Sequence, residues 1–439
     1  MYVAVDDTDS VRGNCTTFLV TEIIRRLDLD LIGNPRLVRL NPAVPWKTRG
    51  NGSLVMRFGE GVGEDRAIGR MDGREVRCFD RMSPREPDAK DLIEKIRPII
   101  EEYHESDSDP GLVVSRVKPS PRFYWKGVRT IVDRSEIEAE IDRIGAEKLE
   151  MGCGRGIVGC VCGMAWRPAD STLELLAYRE RGRWGTERDV DPESIREMDS
   201  ALGSTFNSWE ERAKKVAMVP STPCPVLYGL RGDDEGDLFR GMEMIRSEPR
   251  DRWMVFLTNQ GTDDHIIRGA GKLVPNRSYY IEGRVSSPAA RIRGGHSIMV
   301  ISTRHGNVSC AAYEPSKEFR MLFDRLIPGD EVGVMGELRE DPPTLNVEKL
   351  RVIGMAELEE KPPNPVCGSC GRSMESIGKG KGYRCRRCRS RSDAPEGAKA
   401  VRFLAEGWYE PPTAARRHLS KPLKRMGLEQ PLEFVNSRM

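Results

Sequence analysis

The chain has 439 residues, of which 31% are charged and 38% are hydrophobic, and this length predicts about three domains rather than a single core. No segment approaches the roughly 18 consecutive apolar residues of a membrane-spanning helix, and the N-terminus lacks a signal-peptide pattern, so we expect a cytoplasmic protein. The net charge is only +2, but residues 367–439 contain 16 Lys and Arg against 7 Asp and Glu. This basic C-terminal region on an otherwise acidic chain indicates a polyanionic partner, with nucleic acid as the first candidate.

Residues 1 to about 270 alternate between strand and helix patterns. YVAV predicts a buried strand, TTFLVTEIIRRL predicts an amphipathic helix capped by Thr16 or Thr17, and RLVRLNP and SLVMRF predict further strands. The helix patterns that follow are DAKDLIEKIRPIIEEYHE, GIVGCVCGMAW, PESIREMDSAL and DLFRGMEMIRSE, and the strand patterns are GLVVSRV, TLELLAYR, PVLYGLRG and RWMVFLTNQ. The last strand, helix, strand group is typical of half a ferredoxin-like sandwich.

Three carboxylates, Asp6, Asp7 and Asp9, follow the first predicted strand within four positions. Like charges at this spacing repel one another, and oxygen ligands at the end of a strand suit Mg²⁺ that carries phosphate oxygens. If the strand continued, Asp6 and Asp7 would point to opposite faces, so we expect Asp7 and one other carboxylate to hold the metal. An Asp-rich turn that caps the following helix is an equally weighted alternative.

Three further segments predict phosphate contacts. WKTRGNGS supplies the cations Lys47 and Arg49 and the backbone amides of Gly50, Asn51 and Gly52, which can surround an anion. GCGRGIVG places Gly154, Arg155 and Gly156 at the start of a predicted helix, whose N-terminal amides favour phosphate. RWGTERD adds Arg188 after a strand. With the carboxylates, these segments indicate a triphosphate site, while an ordinary surface position is the alternative for Arg155 and Arg188.

Residues 278–356 contain patterns for three strands, a helix and two strands, the order of an OB-fold barrel, which commonly binds oligonucleotides. The strand patterns are SYYIEGRVS, HSIMVIST, NVSCAAYE, EVGVMGEL and TLNVEKLRVIG, and the helix pattern is KEFRMLFDRLI. A different barrel with no ligand is the alternative. PPNP at 362–365 then predicts a stiff linker.

Four cysteines near the C-terminus have the spacing of a structural metal site. Cys367, Cys370, Cys385 and Cys388 form two CxxC pairs, which predict a closed tetrahedral zinc shell with no open catalytic position. A disulfide pair is the alternative, and the expected compartment disfavours it. The ribbon would present several arginines to phosphates, namely Arg384, Arg386, Arg387, Arg389 and Arg391.

The tail PPTAARRHLSKPLKRM predicts a second strip of phosphate contacts. Its candidate phosphate-binding residues are Arg416, Arg417, His418, Lys421, Lys424 and Arg425. A solvated helix end is the alternative.

The order of these motifs resembles that of one known family. VDDTDS with NCTTFL, LNPAVPWKTRGNGS, GCGRGIVG, RWGTERD, STPCPVLYGLRG, GGH, CGSCGRSMES and PPTAARRHLSKPL occur in the order seen in archaeal tRNA 2-agmatinylcytidine synthetases, the TiaS family. Together with the patterns above, the resemblance implies a multidomain α+β fold. Its parts would be a kinase-like α/β catalytic domain at 1–195 with a candidate insertion at 60–135, a ferredoxin-like domain at 196–270, an OB-fold β-barrel at 271–360, a zinc ribbon at 361–392 and a basic tail at 393–439.

The resemblance also implies a reaction. Members of the family use ATP to activate the C2 carbonyl of the wobble cytidine, at position 34 of the CAU-anticodon isoleucine tRNA, and join agmatine to it, releasing AMP and phosphate. The cofactors implied are ATP, Mg²⁺ and Zn²⁺, and the family's autophosphorylated threonine corresponds to Thr16. Lys47 and Arg49 would neutralise phosphate charge, and Asp199 with Phe206 is our candidate pair for the guanidinium of agmatine.

Two other functions compete with this interpretation. An OB-fold with a zinc ribbon is common in proteins that only bind single-stranded nucleic acid, but that function leaves VDDTDS and KTRGNG unexplained. A small-molecule or protein kinase leaves the basic OB and ribbon region unexplained. Composition alone identifies neither the amine substrate nor the tRNA.

Overall fold

The computed structural model describes residues 1–10, 12–47, 50–357, 359–360, 364–378, 381–393, 398–399, 402 and 404–430. Its α-helices are α1 (Thr16–Arg26), α2 (Ala89–Tyr103), α3 (Pro121–Arg129), α4 (Arg134–Ile144), α5 (Gly156–Met164), α6 (Pro192–Ala201) and α7 (Glu235–Met244). The strands of the first 260 residues are β1 (Tyr2–Asp6), β2 (Asp30–Ile32), β3 (Arg36–Arg39), β4 (Gly52–Gly59), β5 (Gly61–Met71), β6 (Arg74–Met82), β7 (Gly111–Ser115), β8 (Glu147–Glu150), β9 (Thr172–Arg179), β10 (Thr205–Phe206), β11 (Trp209–Glu210), β12 (Lys215–Val216), β13 (Val226–Gly232) and β14 (Arg250–Thr258).

Most strands of the first 260 residues form one large sheet. Its order is β10-β13-β9-β14-β5-β6-β2-β4-β1-β7-β8, and β3 pairs with β14 and β4. The strand predicted from YVAV is β1, which lies in the middle of one part of the sheet and runs antiparallel to both β4 and β7. Strand β14 pairs with β9, β5 and β3. The later strands β9 and β14 therefore belong to the same sheet as the earlier strands β3 and β5.

Helices cover both faces of this sheet. Val3 and Val5 of β1 pack in a core with α1 and α2, while Ala4 faces the opposite core with α3, α4 and α5. This alternation is what a strand buried on both faces requires. A third core lies between α6, α7 and the strands β9, β13 and β14.

A β-barrel follows this sheet. The strands from residue 266 onward are β15 (Ile266–Ile267), β16 (Arg277–Ile292), β17 (His296–Thr303), β18 (Gly306–Ala312), β19 (Glu331–Arg339), β20 (Thr344–Gly354), β21 (Glu359–Glu360), β22 (Glu375–Ser376), β23 (Tyr383–Arg384), β24 (Arg391–Ser392), β25 (Ala398–Lys399) and β26 (Gly407–Tyr409). Pairing of β16 with β19 and of β18 with β20 closes the barrel, as expected for an OB-fold.

The predicted helix KEFRMLFDRLI is wrong in type. Glu314–Arg325 is a 3₁₀ segment with a break at Lys317, where φ is 49° and ψ is −120°. Its buried Phe319, Leu322 and Phe323 lie three and four positions apart, which produced the helical pattern. Burial in the barrel core therefore preserved the spacing without a regular α-helix.

The C-terminal segment connects the barrel to the large sheet. Its strand β26 pairs with β20, and beyond it the backbone carbonyls of His418 and Leu419 accept hydrogen bonds from the amides of Gly261 (2.8 Å) and Asp263 (2.8 Å). Within the described residues this segment contains short 3₁₀ turns, so a solvated helix end is not what forms there. None of the helices in the described part of the chain is long and apolar enough to cross a membrane.

Candidate active site

A cleft of about 640 Å³ opens at the carboxyl end of β1. Its lining brings together most of the residues predicted for the triphosphate site, namely Asp6, Asp7, Asp9, Thr16, Lys47, Gly50, Asn51, Gly52 and Arg155. Trp46, Asp133, Arg134 and Cys153 complete its rim. The structure therefore brings the N-terminal carboxylates together with residues of the two loops for which the sequence predicts phosphate contacts.

Asp6 and Asp7 are adjacent in the cleft but differ in environment. One form of the prediction assumed that the strand continues past Asp6. The strand instead ends at Asp6, because Asp7 has a φ of 57°. Asp6 accepts a hydrogen bond from the Asp7 amide (2.7 Å), and burial raises its pKa well above the usual value. Burial, Asp109 and Asp9 raise the pKa of Asp7 to about 6. Carboxylates that repel one another in this way provide oxygen ligands suited to Mg²⁺.

Asp9 fits the capping alternative that the sequence left open, and it also lines the cleft. Its Oδ1 accepts hydrogen bonds from the Thr16 amide (2.7 Å) and from Thr16 Oγ1 (2.9 Å), so this carboxylate caps α1. The predicted cap by Thr16 or Thr17 is therefore wrong, because the N-cap position is Cys15 and the capping oxygen comes from Asp9. Asp9 thus fixes Thr16 at the edge of the cleft.

The glycine-rich loop 152–156 enters α5 as predicted. Gly154 has a φ of 71°, which disfavours a side chain there. At Gly159, one turn into α5, a Cβ would lie 1.4 Å from Asp6 Oδ2, so the glycine lets the helix approach the carboxylate. The Arg155 guanidinium lies over the Trp46 ring, 4.9 Å from its centroid. The first turn of α5 therefore lines the cleft beside the acidic cluster through Val158 and Gly159, whereas Gly154 and Gly156 do not line it. Amides at a helix N-terminus favour phosphate.

The second phosphate loop is partly described. Lys47 lines the cleft and donates a hydrogen bond to the Pro42 carbonyl, and burial together with Arg417 lowers its pKa. Gly50 to Gly52 also line the cleft. Arg49 lies outside the described residues, so its predicted phosphate contact stays a prediction.

The four cysteines of the C-terminal motif converge. Their Sγ atoms all lie within 4.8 Å of one another, the geometry that a closed tetrahedral zinc shell needs. Hydrogen bonds from Ser390 and the Ser369 amide lower the pKa of Cys367 to about 6, which favours the thiolate that binds metal. The residues present therefore fit zinc. The predicted arginines around the second CxxC pair, Arg384, Arg386, Arg387 and Arg389, are exposed.

Comparisons with known proteins match the chain domain by domain. Residues 2–153 match the family model described as the TiaS TCKD domain, residues 154–265 match the TiaS FLD domain, and residues 364–404 match the TiaS C-terminal zinc ribbon domain. Residues 279–353 match the OB-fold nucleic acid binding domain. The chain belongs to the TiaS family.

Full-length relatives and solved structures agree with this assignment. The tRNA 2-agmatinylcytidine synthetase TiaS of Archaeoglobus fulgidus is 39% identical over 98% of both chains, and that of Methanocaldococcus jannaschii is 34% identical over 98% of this chain and 99% of its own. A crystal structure of TiaS in complex with its isoleucine tRNA and ATP is 37% identical over 98% of both chains, with a TM-score of 0.84. A complex of TiaS with the same tRNA, AMPCPP and agmatine is 35% identical over the same share, with a TM-score of 0.80.

Some predicted site residues of this TiaS-family chain lie outside the cleft lining. The Arg188 guanidinium donates hydrogen bonds to backbone carbonyls of residues 220–226, so its observed role is to hold that loop, and its predicted ATP contact is not supported by its position. Phe206 is buried in β10. Asp199 is half-buried on α6, where burial raises its pKa although Lys424 and Arg416 lie nearby.

The tail cations predicted to bind phosphate are instead paired within the chain. Arg416 forms an ion pair with Glu410 (2.9 Å), Arg417 with Glu348 (2.9 Å) and Glu337, Lys421 with Asp170 (2.9 Å), and Arg425 with Asp170 (2.6 Å) and Asp233 (2.7 Å). Lys424 donates to the Leu202 carbonyl (3.4 Å). These contacts attach the tail to the rest of the protein, and RNA contacts by the same residues stay a prediction.

Sequence reasoning missed a half-buried arginine near the cleft. Arg39 ends β3 beneath the 50–52 loop, and its Nη1 lies 3.4 Å from the Gly50 carbonyl oxygen. Its buried Nε has no hydrogen-bond partner among the described residues. Arg39 and burial lower the pKa of neighbouring His418 well below its usual value. The sequence RLVRLNP by itself does not predict that Arg39 and His418 lie together, because this arrangement depends on the pairing of β3 with β14 and on the docking of the tail.

The zinc centre gives a direct prediction. Cys385→Ser should reduce bound zinc from about one ion per chain to almost none, because three thiolates leave the tetrahedral shell open. Hydrogen exchange over residues 364–393 should then become fast, since metal supplies much of the folding free energy of such a small ribbon. Elemental analysis and exchange mass spectrometry measure the two effects.

Cys153→Ser is the matched control for the zinc measurement. Cys153 is exposed and hydrogen-bonded to Asp109 (2.7 Å), outside the four-cysteine cluster. This variant should retain its zinc. Full zinc content in Cys385→Ser would contradict the assignment.

Proposed function

We propose that this chain is an ATP-dependent ligase that activates the C2 carbonyl of the wobble cytidine, at tRNA position 34 of the CAU-anticodon isoleucine tRNA, and conjugates agmatine to it, giving 2-agmatinylcytidine with release of AMP and phosphate. The observation that carries the proposal is the cleft at the end of β1, where the carboxylates lie beside the first turn of α5 in a chain similar to TiaS enzymes over 98% of its length. Its partners are that tRNA, agmatine and ATP. The tRNA substrate supports a cytoplasmic location.

The domain labels belong to the same proposal. We assign residues 1–195 to a kinase-like catalytic domain, 196–270 to a ferredoxin-like domain, 271–360 to the OB-fold, 361–392 to the zinc ribbon and 393–439 to the tail. Strands β9, β13 and β14 with helices α6 and α7 around a shared core support a ferredoxin-like unit. The FLD family model spans residues 154–265 and so begins before the boundary at 195/196 that we propose, with α5 and β9 on its side.

The chemistry explains why ATP is consumed. Cytosine C2 is a poor electrophile because the ring delocalises its electrons. Transfer of one phosphoryl group from ATP to the C2 oxygen breaks a phosphoanhydride P–O bond, forms an O–P bond at the base and leaves ADP, so the C2 oxygen becomes part of a leaving group. Hydrolysis of the remaining phosphoanhydride bond then gives AMP and a second phosphate. The primary amine of agmatine then attacks C2, a C–N bond forms, the C–O bond breaks and phosphate departs with its electron pair.

The residues of the cleft can divide this work. Mg²⁺, when bound, would neutralise charge on the phosphate oxygens. Asp7 and Asp9 would hold that ion, and Asp6 lies beside Asp7 in the same cleft. The amides of Gly50 to Gly52 and of Gly154 to Gly156 would orient the phosphates, and Lys47 and Arg155 would stabilise the charge that develops during transfer.

Thr16 is the position that the family resemblance assigns to autophosphorylation. Its Oγ1 donates a hydrogen bond to Asp9 Oδ1 (2.9 Å) and lines the cleft. This geometry allows Asp9 to accept the hydroxyl proton as Thr16 takes a phosphoryl group. Asp199 and Phe206 stay candidates for the guanidinium of agmatine, although neither lines the cleft.

RNA binding extends the site. The exposed ribbon arginines and the OB barrel would hold the tRNA body through its backbone, which positions the molecule without reading its sequence. The target base must leave its stack in the anticodon loop to enter the cleft.

The decisive assay is mass spectrometry of nucleosides from an unmodified CAU-anticodon isoleucine tRNA transcript incubated with the protein, ATP, Mg²⁺ and agmatine. We expect a cytidine adduct that contains agmatine and depends on all three small reactants. A protein that only binds single-stranded RNA would bind the transcript without consuming ATP. A protein kinase would transfer radiolabel from ATP to Thr16 and never to RNA. Either result without the adduct would overturn the proposal.

A further inference from the structure

A cluster of basic side chains lies at the opposite end of β1 from the acidic cleft. We call it the basic cluster, and its members are Arg36, Arg57, Lys118 and Arg167. Tyr2, at the start of β1, pairs with Arg57 on β4 and with Ser115 on β7, three residues before Lys118. Helix α5 starts at the cleft and ends at Met164, just before Arg167.

Contacts with shared neighbouring groups show that the four cations lie close together. Arg57 Cζ and Lys118 Nζ lie 5.1 Å and 5.2 Å from the centroid of the same Tyr2 ring. Lys118 Nζ and Arg36 Nη1 lie 3.5 Å and 3.4 Å from the same oxygen, the Trp166 carbonyl. Arg167 donates hydrogen bonds to the Ala165 (2.8 Å) and Pro119 (3.2 Å) carbonyls.

No carboxylate neutralises this charge among the described residues. None of the four cations has an ion pair within 4.0 Å there, and Glu86, the acid near the Met1 amino group (3.9 Å), is paired with Arg116 (2.8 Å). Well-buried cations elsewhere do have carboxylate partners, as in the pairs Arg179–Glu248, Arg252–Glu22, Lys349–Asp263 and Arg402–Asp330. Not every such cation in the described part of the chain has a carboxylate partner, since Arg39 and Arg188 contact backbone carbonyls instead, but the basic cluster brings four of them together.

The end of α5 explains part of the cluster but not all of it. The negative end of the helix dipole and its last carbonyls favour Arg167, and they attract Lys118 and Arg36. Arg57 makes no such contact, and its buried Nε has no hydrogen-bond partner among the described residues. Burial, followed by Arg36, Arg167 and Arg57, lowers the pKa of Lys118 to about 7. The cluster therefore holds more positive charge than the helix end requires.

We propose that the basic cluster is a second binding site, separate from the catalytic cleft, for a phosphate group. Guanidinium groups present paired donors that match phosphate oxygens, and Lys118 adds a point charge beside them. Arg36, Arg57 and Lys118 are half-buried and Arg167 is exposed, so the site is open to solvent. The phosphate belongs either to the tRNA backbone, a source that rests on the proposed function, or to a free phosphate compound, a source that does not.

The test measures binding rather than catalysis. Arg57→Gln and Lys118→Gln each remove one cation of the cluster, and Arg116→Gln removes a neighbouring cation that Glu86 already neutralises. In the first arm, the zinc-loaded full chain is titrated with the tRNA transcript at several salt concentrations. We expect the cluster variants to bind at least fivefold more weakly and to lower the slope of log affinity against log salt by about 0.7–0.9.

In the second arm, the thermal unfolding temperature of each protein is measured at increasing concentrations of inorganic phosphate or pyrophosphate, with chloride at matched ionic strength as the reference. A free ligand is indicated if these anions stabilise the parent and the Arg116→Gln control but not the two cluster variants. A change confined to the tRNA arm assigns the site to RNA backbone. If both cluster variants behave like the control in both arms, the proposal is wrong. Circular dichroism checks that each variant is folded.

Proton uptake gives an independent readout of the same site. Within the described part of the chain, the groups that face Lys118 are Arg36, Arg57, Arg167, the Tyr2 ring and the Trp166 carbonyl. A bound anion should raise this lowered pKa, so binding near pH 7.5 should take up a proton. Calorimetry in two buffers of different ionisation enthalpy measures the uptake, which should disappear in Lys118→Gln. Equal uptake by that variant and the parent would contradict a role for Lys118.

Discussion

Asp7→Asn should lower the rate of agmatine-adduct formation about a thousandfold, the size of effect seen when one preorganised charge-stabilising group is removed from an active site. The amide keeps the volume of the carboxylate but loses the negative charge that would hold Mg²⁺ and its phosphate oxygens. Asp7 is the member of the acidic cluster whose positive φ follows directly on the end of β1. Single-turnover kinetics with nucleoside mass spectrometry measures the loss.

Asp88→Asn is the control for this measurement. Asp88 caps α2 at an exposed position through the amides of Lys90 and Asp91, and asparagine is an equally good cap. This variant should react at the parent rate and unfold at the parent temperature. If the Asp7→Asn enzyme is folded and reacts within threefold of the parent rate, the acidic cluster takes no part in the chemistry.

Glu248→Gln should reduce the free energy of unfolding by about 3–5 kcal/mol, because it leaves a buried guanidinium without its counter-charge. Arg179 donates to both carboxylate oxygens of Glu248, at 2.6 Å and 3.0 Å, and the two side chains are 0% and 1% exposed. Arg179 also donates to the Thr186 and Glu187 carbonyls, at 2.8 Å each. The pair thus joins the RWGTERD segment to the end of β9.

Urea denaturation followed by hydrogen exchange in β9 and α6 measures this effect. Glu211→Gln is the matched control, because the Glu211–Lys214 ion pair lies at the surface with both side chains about two-thirds exposed. Its denaturation midpoint should match that of the parent, as surface pairs contribute little. Equal midpoints for all three proteins would show that the Arg179–Glu248 pair is not a principal support of this region.

Local patterns predicted the elements and the motifs that depend on neighbouring residues. The two CxxC pairs predicted the four-cysteine cluster because the two-residue gap within each pair places its two thiols side by side. The apolar run YVAV and the apolar spacing in TTFLVTEIIRRL correctly predicted β1 and α1. The acidic cluster was predictable for the same reason, since its three carboxylates lie within four positions of the chain.

Contacts between distant segments were not predictable from those patterns. Arg39 is half-buried near the cleft because β3 pairs with β14, more than 200 residues later in the sequence, and because the tail brings His418 next to it. The tail cations matched the pattern of a phosphate strip, but their partners are acids such as Asp170 and Glu348 on other elements. A charge pattern indicates attraction to a polyanion without showing which acids of the same chain compete for it.

Asp9 shows why two interpretations of one motif need not exclude each other. The carboxylate that caps α1 is the same group that holds Thr16 at the cleft. Capping fixes its position, and a fixed oxygen is a better metal ligand than a mobile one because less freedom is lost on binding.

The most direct measurement is anomalous diffraction from a crystal of the full chain with the tRNA transcript, a non-hydrolysable ATP analogue and Mn²⁺ in place of Mg²⁺. The account predicts a metal peak in contact with the Asp7 carboxylate, phosphates against Gly154 to Gly156, and the wobble cytidine turned into the same cleft. It is contradicted if the three N-terminal carboxylates face solvent while the triphosphate and its metal bind elsewhere.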